Sequence, residues 1–269
     1  MSGVVLHCAP HPDDELIGAP ATLMALRDAD WRVVNLACSL GRPEQRSRRE
    51  AELREACRLA GFELRVPART AAISSDDDPI AARAELRDLV REAVADLGPQ
   101  LVISPAPHDR HHGHELAARA VGDVLNEQRE PAPRWWMWGL WASLPLPTLA
   151  TAFDQKRLDE ILHALSAYTG ELRRNDYRQL VKNRAAMNVS LGPELLFGFG
   201  EAAPAVPYVE LLTEVVPSDG GWLLGKARWL DPASPLMSPS EVVADEWILE
   251  PSVTDRFGPP GVQGALDGV

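Results

Sequence analysis

Short apolar runs along this chain alternate with longer stretches in which apolar positions recur three and four residues apart. That is the pattern of strands followed by amphipathic helices. Residues 4–8 read as a buried strand, and residues 16–27 as a helix with Leu16, Ala19, Leu23 and Leu26 on one side. Pro20 falls inside that helix and is compatible only with a first turn, so the helix is expected to start late. A second strand over 31–38 leads into a helical pattern over 43–60 that Gly61 ends, and a third strand covers 62–66. A helix over 80–97, a strand over 100–104, a helix from near Gly113 and a strand over 134–141 complete the alternation. Strands that alternate with helices predict an α/β, Rossmann-like fold, a mostly parallel sheet with helices on both faces. In the order 3-2-1-4-5, strands 1 and 4 lie side by side at the switch point, where such sheets hold ligands.

The later chain is different in kind. Residues 144–148 hold two prolines and read as a turn or lid, and 154–188 as one or two helices broken near Thr169-Gly170. Residues 208–216 and 221–224 predict an antiparallel ribbon across Pro217-Ser218-Asp219-Gly220, and the last twenty residues are expected to be loose. The economical division is an α/β catalytic core over 1–190, with a β ribbon and tail over 191–269 packed on the same domain; there is no internal repeat.

Composition narrows the partners. A net charge of −12 and a pI of about 5.1 disfavour a phosphate-backbone binder, so no nucleic acid is expected. No stretch approaches the length of a membrane span, and the amino terminus runs directly into a strand without a charged leader. A cytoplasmic protein is expected. The three cysteines, Cys8, Cys38 and Cys57, are an odd number within apolar patterns and read as reduced, buried thiols.

Candidate chemistry falls in two places. His11-Pro12-Asp13-Asp14-Glu15 directly follows the first strand, and His108, Asp109, His111, His112, His114 and Glu115 follow the fourth. Imidazole and carboxylate suit zinc, and a catalytic site keeps three protein ligands so that water fills the fourth position. His11 and one Asp would supply two ligands, leaving the neighbouring Asp to take a proton from the water. The competing reading has the acids of the first box charge the start of a helix, and the histidines lie in a solvated loop. His114, in a first helical turn, stands where the dipole disfavours imidazolium. A glycine-rich dinucleotide fingerprint is missing after strand 1.

Together the two boxes, His11-Pro12-Asp13-Asp14-Glu15 and Asp109-Arg110-His111-His112-Gly113-His114, resemble the PIG-L/LmbE-like family of zinc-dependent de-N-acetylases. The resemblance covers residues 3 to about 190. It implies one zinc per chain, or ferrous iron in its place, on His11, Asp14 and His114. It also implies Asp13 as general base and His111 as an acid or electrostatic helper. Gly113 departs from the aspartate common in the family, so His111 takes Asp109 or Glu115 as its partner. The family's R-x-x-E-x-x-x-A pattern matches Arg49, Glu52 and Ala56, and Arg49 and Asp109 are expected to face the substrate.

The expected activity is that of a metal-dependent amidase that removes an N-acyl group, most simply acetyl, from an amino-sugar-containing small molecule of the N-acetylglucosamine type. A homo-oligomer is compatible with it. Two other readings are a two-metal phosphoesterase and a sugar-binding relative without turnover.

Three further features admit two accounts. Asp76-Asp77-Asp78 either binds a metal or, more economically, opens the helix that follows. Trp135, Trp136, Trp138 and Trp141 form either core or a stacking platform for a sugar or acyl chain. The other arginines over 42–58 interleave with glutamates as a solvated, salt-bridged face. His163 reads as structural, and Tyr208 and Glu210 stand where similar proteins carry a late Y-x-E-like element.

Overall fold

A computed structural model describes residues 3–128, 132–218 and 221–245. Five parallel strands form its centre: β1 (Val4–Ala9), β2 (Arg32–Ala37), β3 (Glu63–Arg65), β4 (Leu101–Pro105) and β5 (Arg134–Trp138), in the order β3-β2-β1-β4-β5. This is the expected order, with β1 and β4 adjacent at the reversal of winding. β1, β2, β4 and β5 are buried along most of their length, which is why they read as largely apolar runs, whereas the edge strand β3 is partly exposed. Val5 and Leu6, neighbours on β1, enter different cores.

One core packs under α2 (Pro20–Asp28), α3 (Arg46–Ala60) and α6 (Gln155–Leu165), and takes Leu23, Leu53, Leu158, Trp136 and Trp138. The other packs under α4 (Pro79–Leu97) and α5 (His112–Asn126), and takes Leu86, Val90, Val121 and Trp135. Trp135, Trp136 and Trp138 are therefore core residues, as β5 requires. Because β5 ends at Trp138, Trp141 lies beyond the strand and is exposed. Cys8, Cys38 and Cys57 are free and buried, as expected.

Beyond β5 the sheet continues in antiparallel fashion through β7 (Tyr208–Ser218), β8 (Gly221–Gly225) and β10 (Pro239–Val243). The fold is thus the mixed α/β sheet that was expected, with its antiparallel elaboration joined edge to edge. The expected ribbon of β7 and β8 is present; Asp219 and Gly220 of its turn, and the tail over 246–269, lie outside the described residues. Buried Glu214 on β7 accepts from Arg134 Nη1 and Trp136 Nε1 at 3.0 Å each and from Arg228 Nη1 at 2.5 Å, which ties the elaboration to β5.

Several boundaries differ from expectation for local reasons. The helix over 16–27 is two helices: α1 (Asp14–Ile17), then α2, with Pro20 as its first residue, where the missing N–H costs nothing. The expected break near Thr169-Gly170 is present, between the end of α6 at Leu165 and the start of α7 (Thr169–Arg174), where Glu52 accepts from Thr169 Oγ1 at 2.8 Å and Gly170 N at 3.0 Å. The last helix, α8 (Tyr177–Phe197), continues through Pro193 and past residue 190. A strand not anticipated, β6 (Leu149–Phe153), pairs with β7 and with the two-residue β9 (Arg228–Trp229).

Candidate metal centre

The turn after β1 is held in an unusual backbone state. Asp13 has φ 112°, a left-handed conformation rarely adopted outside glycine, and its carbonyl accepts from Leu16 N and Ile17 N at 2.9 and 3.0 Å. Glu15 supports the same turn by accepting from Asp13 N at 3.4 Å and from the Tyr168 hydroxyl. Burial pushes the Glu15 carboxyl up to about 7, against the pull of the tyrosine hydrogen bond. Asp13 and Asp14 both border the crevice, with different partners. Asp13 lines a cavity of about 490 Å³, together with His11, Arg49, His111, Trp141 and Tyr177.

Asp14 turns back under the histidines and is 1% exposed. One carboxylate oxygen lies 3.3 Å from His11 Nδ1 and also accepts from His11 N at 2.8 Å; the other lies 3.3 Å from His114 Nε2. His11 and His114, a hundred residues apart, have ring centroids 5.3 Å apart, and His111 lies 4.8 and 4.5 Å from them. Ligand nitrogens of His11, His111 and His114 fall within 4.8 Å of one another, the one such group among the described residues. Asp76-Asp77-Asp78 does not form one: Asp78 accepts from Ile80 N at the start of α4, and Asp77 accepts from Ser74 N and Oγ.

Asp109 is buried behind His114 and does not line the cavity, contrary to the expectation that it faces substrate. One of its oxygens is 2.7 Å from His114 Nδ1. The other accepts from the amides of Leu140, Trp141 and Ala142 at 2.5, 2.9 and 3.2 Å. Arg184 grips the same loop from α8, donating to Leu140 O at 2.5 Å. The partner expected for His111 is therefore spent on His114; Glu115 accepts from Arg110 N at 3.1 Å, and His111 Nδ1 is buried with no hydrogen-bond partner.

Gly113 explains its own departure from the family pattern. A Cβ there would stand 2.8 and 2.9 Å from His11 Cε1 and Nε2, so any side chain at this position would displace the ring. Arg49 stands apart from the solvated arginines of α3: it lines the cavity, lies 3.4 Å from Glu171 and has a buried Nε with no partner. Arg54 and Arg58, by contrast, pair with Glu50 and Glu55 on the exposed face, as expected.

The electrostatics divide the groups of the site. Burial would lower the His114 pKa, but the Asp14 charge and the Asp109 hydrogen bond raise it to about 10. Burial and the neighbouring His114 and His11 lower His111 to about 3, which keeps it neutral with a lone pair to offer. Burial, then the charges of Asp14 and Glu15, hold the Asp13 carboxyl well above the usual carboxylate range.

This donor set fits a small divalent cation. In a tetrahedral zinc site with bonds of about 2.0–2.1 Å, neighbouring ligands are about 3.3 Å apart, the separation that Asp14 keeps from both His11 and His114. His114 also carries a carboxylate on its other ring nitrogen, the arrangement that fixes the tautomer of ligating histidines.

The sheet of order 3-2-1-4-5, with an imidazole and carboxylate crevice above β1 and β4, shares its α/β fold with several solved structures. Residues 6–125 match the model of the family described as PIG-L, GlcNAc-PI de-N-acetylase, so the resemblance carried by the two boxes holds. No curated protein matches the chain. Similar solved structures include teicoplanin deacetylase Orf2 in a zinc-inhibited form, at 16% identity and TM-score 0.61, over 81% of this chain and 100% of that one. N,N'-diacetylchitobiose deacetylase from Pyrococcus horikoshii matches at 17% and 0.56, over 79% and 84%. The 4-carboxy-2-hydroxymuconate hydratase GalB from Pseudomonas putida matches at 15% and 0.62, over 81% and 98%. At these identities the likeness is one of fold. Among the described residues no helix is long and apolar enough to cross a membrane.

Proposed function

We propose that this chain is a metal-dependent amidase that removes an N-acyl group, most simply acetyl, from an amino-sugar-containing small molecule. The observation that carries the reading is the Asp14 carboxylate, 3.3 Å from both His11 and His114, with Asp13 beside it on the wall of an open cavity. The family match and the names of two similar deacetylases support it further.

His11, Asp14 and His114 would hold one zinc, or ferrous iron. When bound, that ion would polarise the amide carbonyl and acidify a water. Asp13, with its raised affinity for protons, takes the proton of the attacking water and returns it to the amine nitrogen as the C–N bond breaks. His111, neutral, donates an N–H to the carbonyl oxygen as charge grows there. Asp109 fixes His114 in the tautomer that leaves Nε2 free for the ion. Trp141 and Tyr177 offer aromatic edges to a sugar ring.

The test is primary-amine release from a panel of N-acetylated amino sugars by protein loaded with zinc or iron. Amine release, lost in Asp13→Ala with metal still bound, is the expected result. No amine from any member with either metal would overturn the proposal.

A further inference from the structure

Residues 139–142, beside the crevice, form neither helix nor strand, so side chains have to meet their backbone polar atoms. Gly139 starts the turn: a Cβ there would stand 2.8 Å from Ala142 O. On one side Asp109 takes the amides of Leu140, Trp141 and Ala142. On the other, the Arg184 guanidinium donates through Nη1 to Leu140 O at 2.5 Å and through Nη2 to Ala142 O at 3.5 Å. Those two carbonyls flank Trp141.

Arg184 does this from outside the crevice, where it lines a separate cavity of about 80 Å³ with Asn188 and Glu210. Glu210 is engaged by Ala21 N and Thr22 N at 3.1 and 2.8 Å, and among the described residues Arg184 forms no ion pair, so its donors go to the loop. Tyr177 and Arg184 lie seven residues apart on α8, two helical turns, and share a face. Tyr177 stands on the crevice wall with its ring 6.4 Å from that of Trp141, edge to face, and Trp141 in turn lies 6.3 Å from the His111 ring. One helix therefore sets both members of the aromatic pair: Tyr177 directly, and Trp141 through the loop that Arg184 holds. A planar guanidinium meets two carbonyls at once with a fixed geometry, which an ammonium on a flexible stem does not reproduce.

We propose that Arg184 is a positioning residue for substrate recognition. It fixes Trp141 against Tyr177 and so sets the affinity for the substrate's ring without touching it, leaving the chemistry to the groups around Asp13. The proposal rests on the amide-hydrolysis reading of the crevice, and amide exchange in the loop, which needs no substrate, separates the two.

In the zinc-loaded full chain, Arg184→Gln should raise KM for amine release from N-acetylglucosamine about tenfold and leave kcat within about twofold, the mark of binding lost equally from ground and transition states. Arg184→Lys, with the charge but not the fork, should recover part of that loss. Trp141→Ala should raise KM similarly, and adding Arg184→Gln to it should raise KM no further, because both changes act through one side chain. Hydrogen exchange at the amides of 140–142 should quicken about tenfold or more in Arg184→Gln and partly recover in Arg184→Lys. A fall in kcat at unchanged KM, or effects of the two substitutions that add, would overturn the proposal. Arg184→Lys carries the same comparison with Trp141→Ala should Arg184→Gln fail to fold. Unchanged exchange in Arg184→Gln would also overturn it, a result that stands whether or not the protein turns over substrate. Quickened exchange in a chain that releases no amine would instead remove the amidase reading and leave Arg184 as the residue that holds Trp141.

Discussion

His114 Nδ1 lies 2.7 Å from the carboxylate of Asp109, which in turn accepts three amides of the loop over 140–142. One buried acid thus orients a ligand candidate and secures the loop that carries Trp141. Asp109→Asn keeps an oxygen for the amides but turns an N–H toward Nδ1, forcing the proton to Nε2, where the ion would bind. Zinc affinity should fall about 10–100-fold, measured by competition with a chromophoric chelator, while the melting temperature moves by no more than about 4 °C. Unchanged affinity would separate Asp109 from the metal.

Gly113→Ala places a Cβ within 2.9 Å of the His11 ring. The helix itself gains from alanine, by about 1 kcal/mol, so a loss of metal cannot be blamed on weaker local structure. Expected is reduced zinc occupancy after dialysis with an unchanged or raised melting temperature. Full occupancy would mean that His11 moves aside freely.

Asp13 sits at φ 112° with two further carboxylates beside it. Asp13→Gly relieves both strain and repulsion, so thermal unfolding should rise by about 2–4 °C while turnover falls by a factor of about 10²–10⁴. A variant that is active or less stable contradicts the account of this turn.

His111 is proposed as a donor to the developing oxyanion and not as a ligand, although its nitrogen lies within the same 4.8 Å group. His111→Ala should therefore retain one zinc per chain by elemental analysis and lose kcat by a factor of about 10²–10³. Loss of the zinc would make it a ligand instead.

His7, fully buried beneath the site, donates from Nδ1 to Asn35 Oδ1 at 2.7 Å and accepts from Trp138 Nε1 at 3.2 Å. Burial pulls its pKa down from 6.5 to about 4, so the unfolded chain takes up this proton first. Stability from His7 is complete above pH 6.5 and is lost as pH falls toward 4, to a total of about 3 kcal/mol. Denaturant melts of the wild type and His7→Gln should show that slope only in the wild type.

Much of this arrangement was legible in the chain because its signals are local. Apolar runs marked β1 and β4, and the boxes directly after them fixed where donors could meet, so the order 3-2-1-4-5 and the meeting of His11 with His114 followed from topology. The rest depends on distant partners. β6 is five residues, Leu149–Phe153, whose strand character comes from pairing with Tyr208–Leu212 some sixty residues later. The part played by Asp109 was misread because its carboxylate meets a loop thirty residues away, which no spacing reveals. Trp141 differs from Trp135, Trp136 and Trp138 only in lying past the end of β5, a boundary that pattern alone places too late.

Cys8, Cys38 and Cys57 lie buried on β1, just past β2, and on α3, and burial pushes their thiols up, to about 12 for Cys8. The native protein therefore withholds all three from alkylating and disulfide reagents at neutral pH, since only the thiolate reacts. Labelling kinetics become a built-in clock for opening of the central sheet, read without introducing any foreign probe.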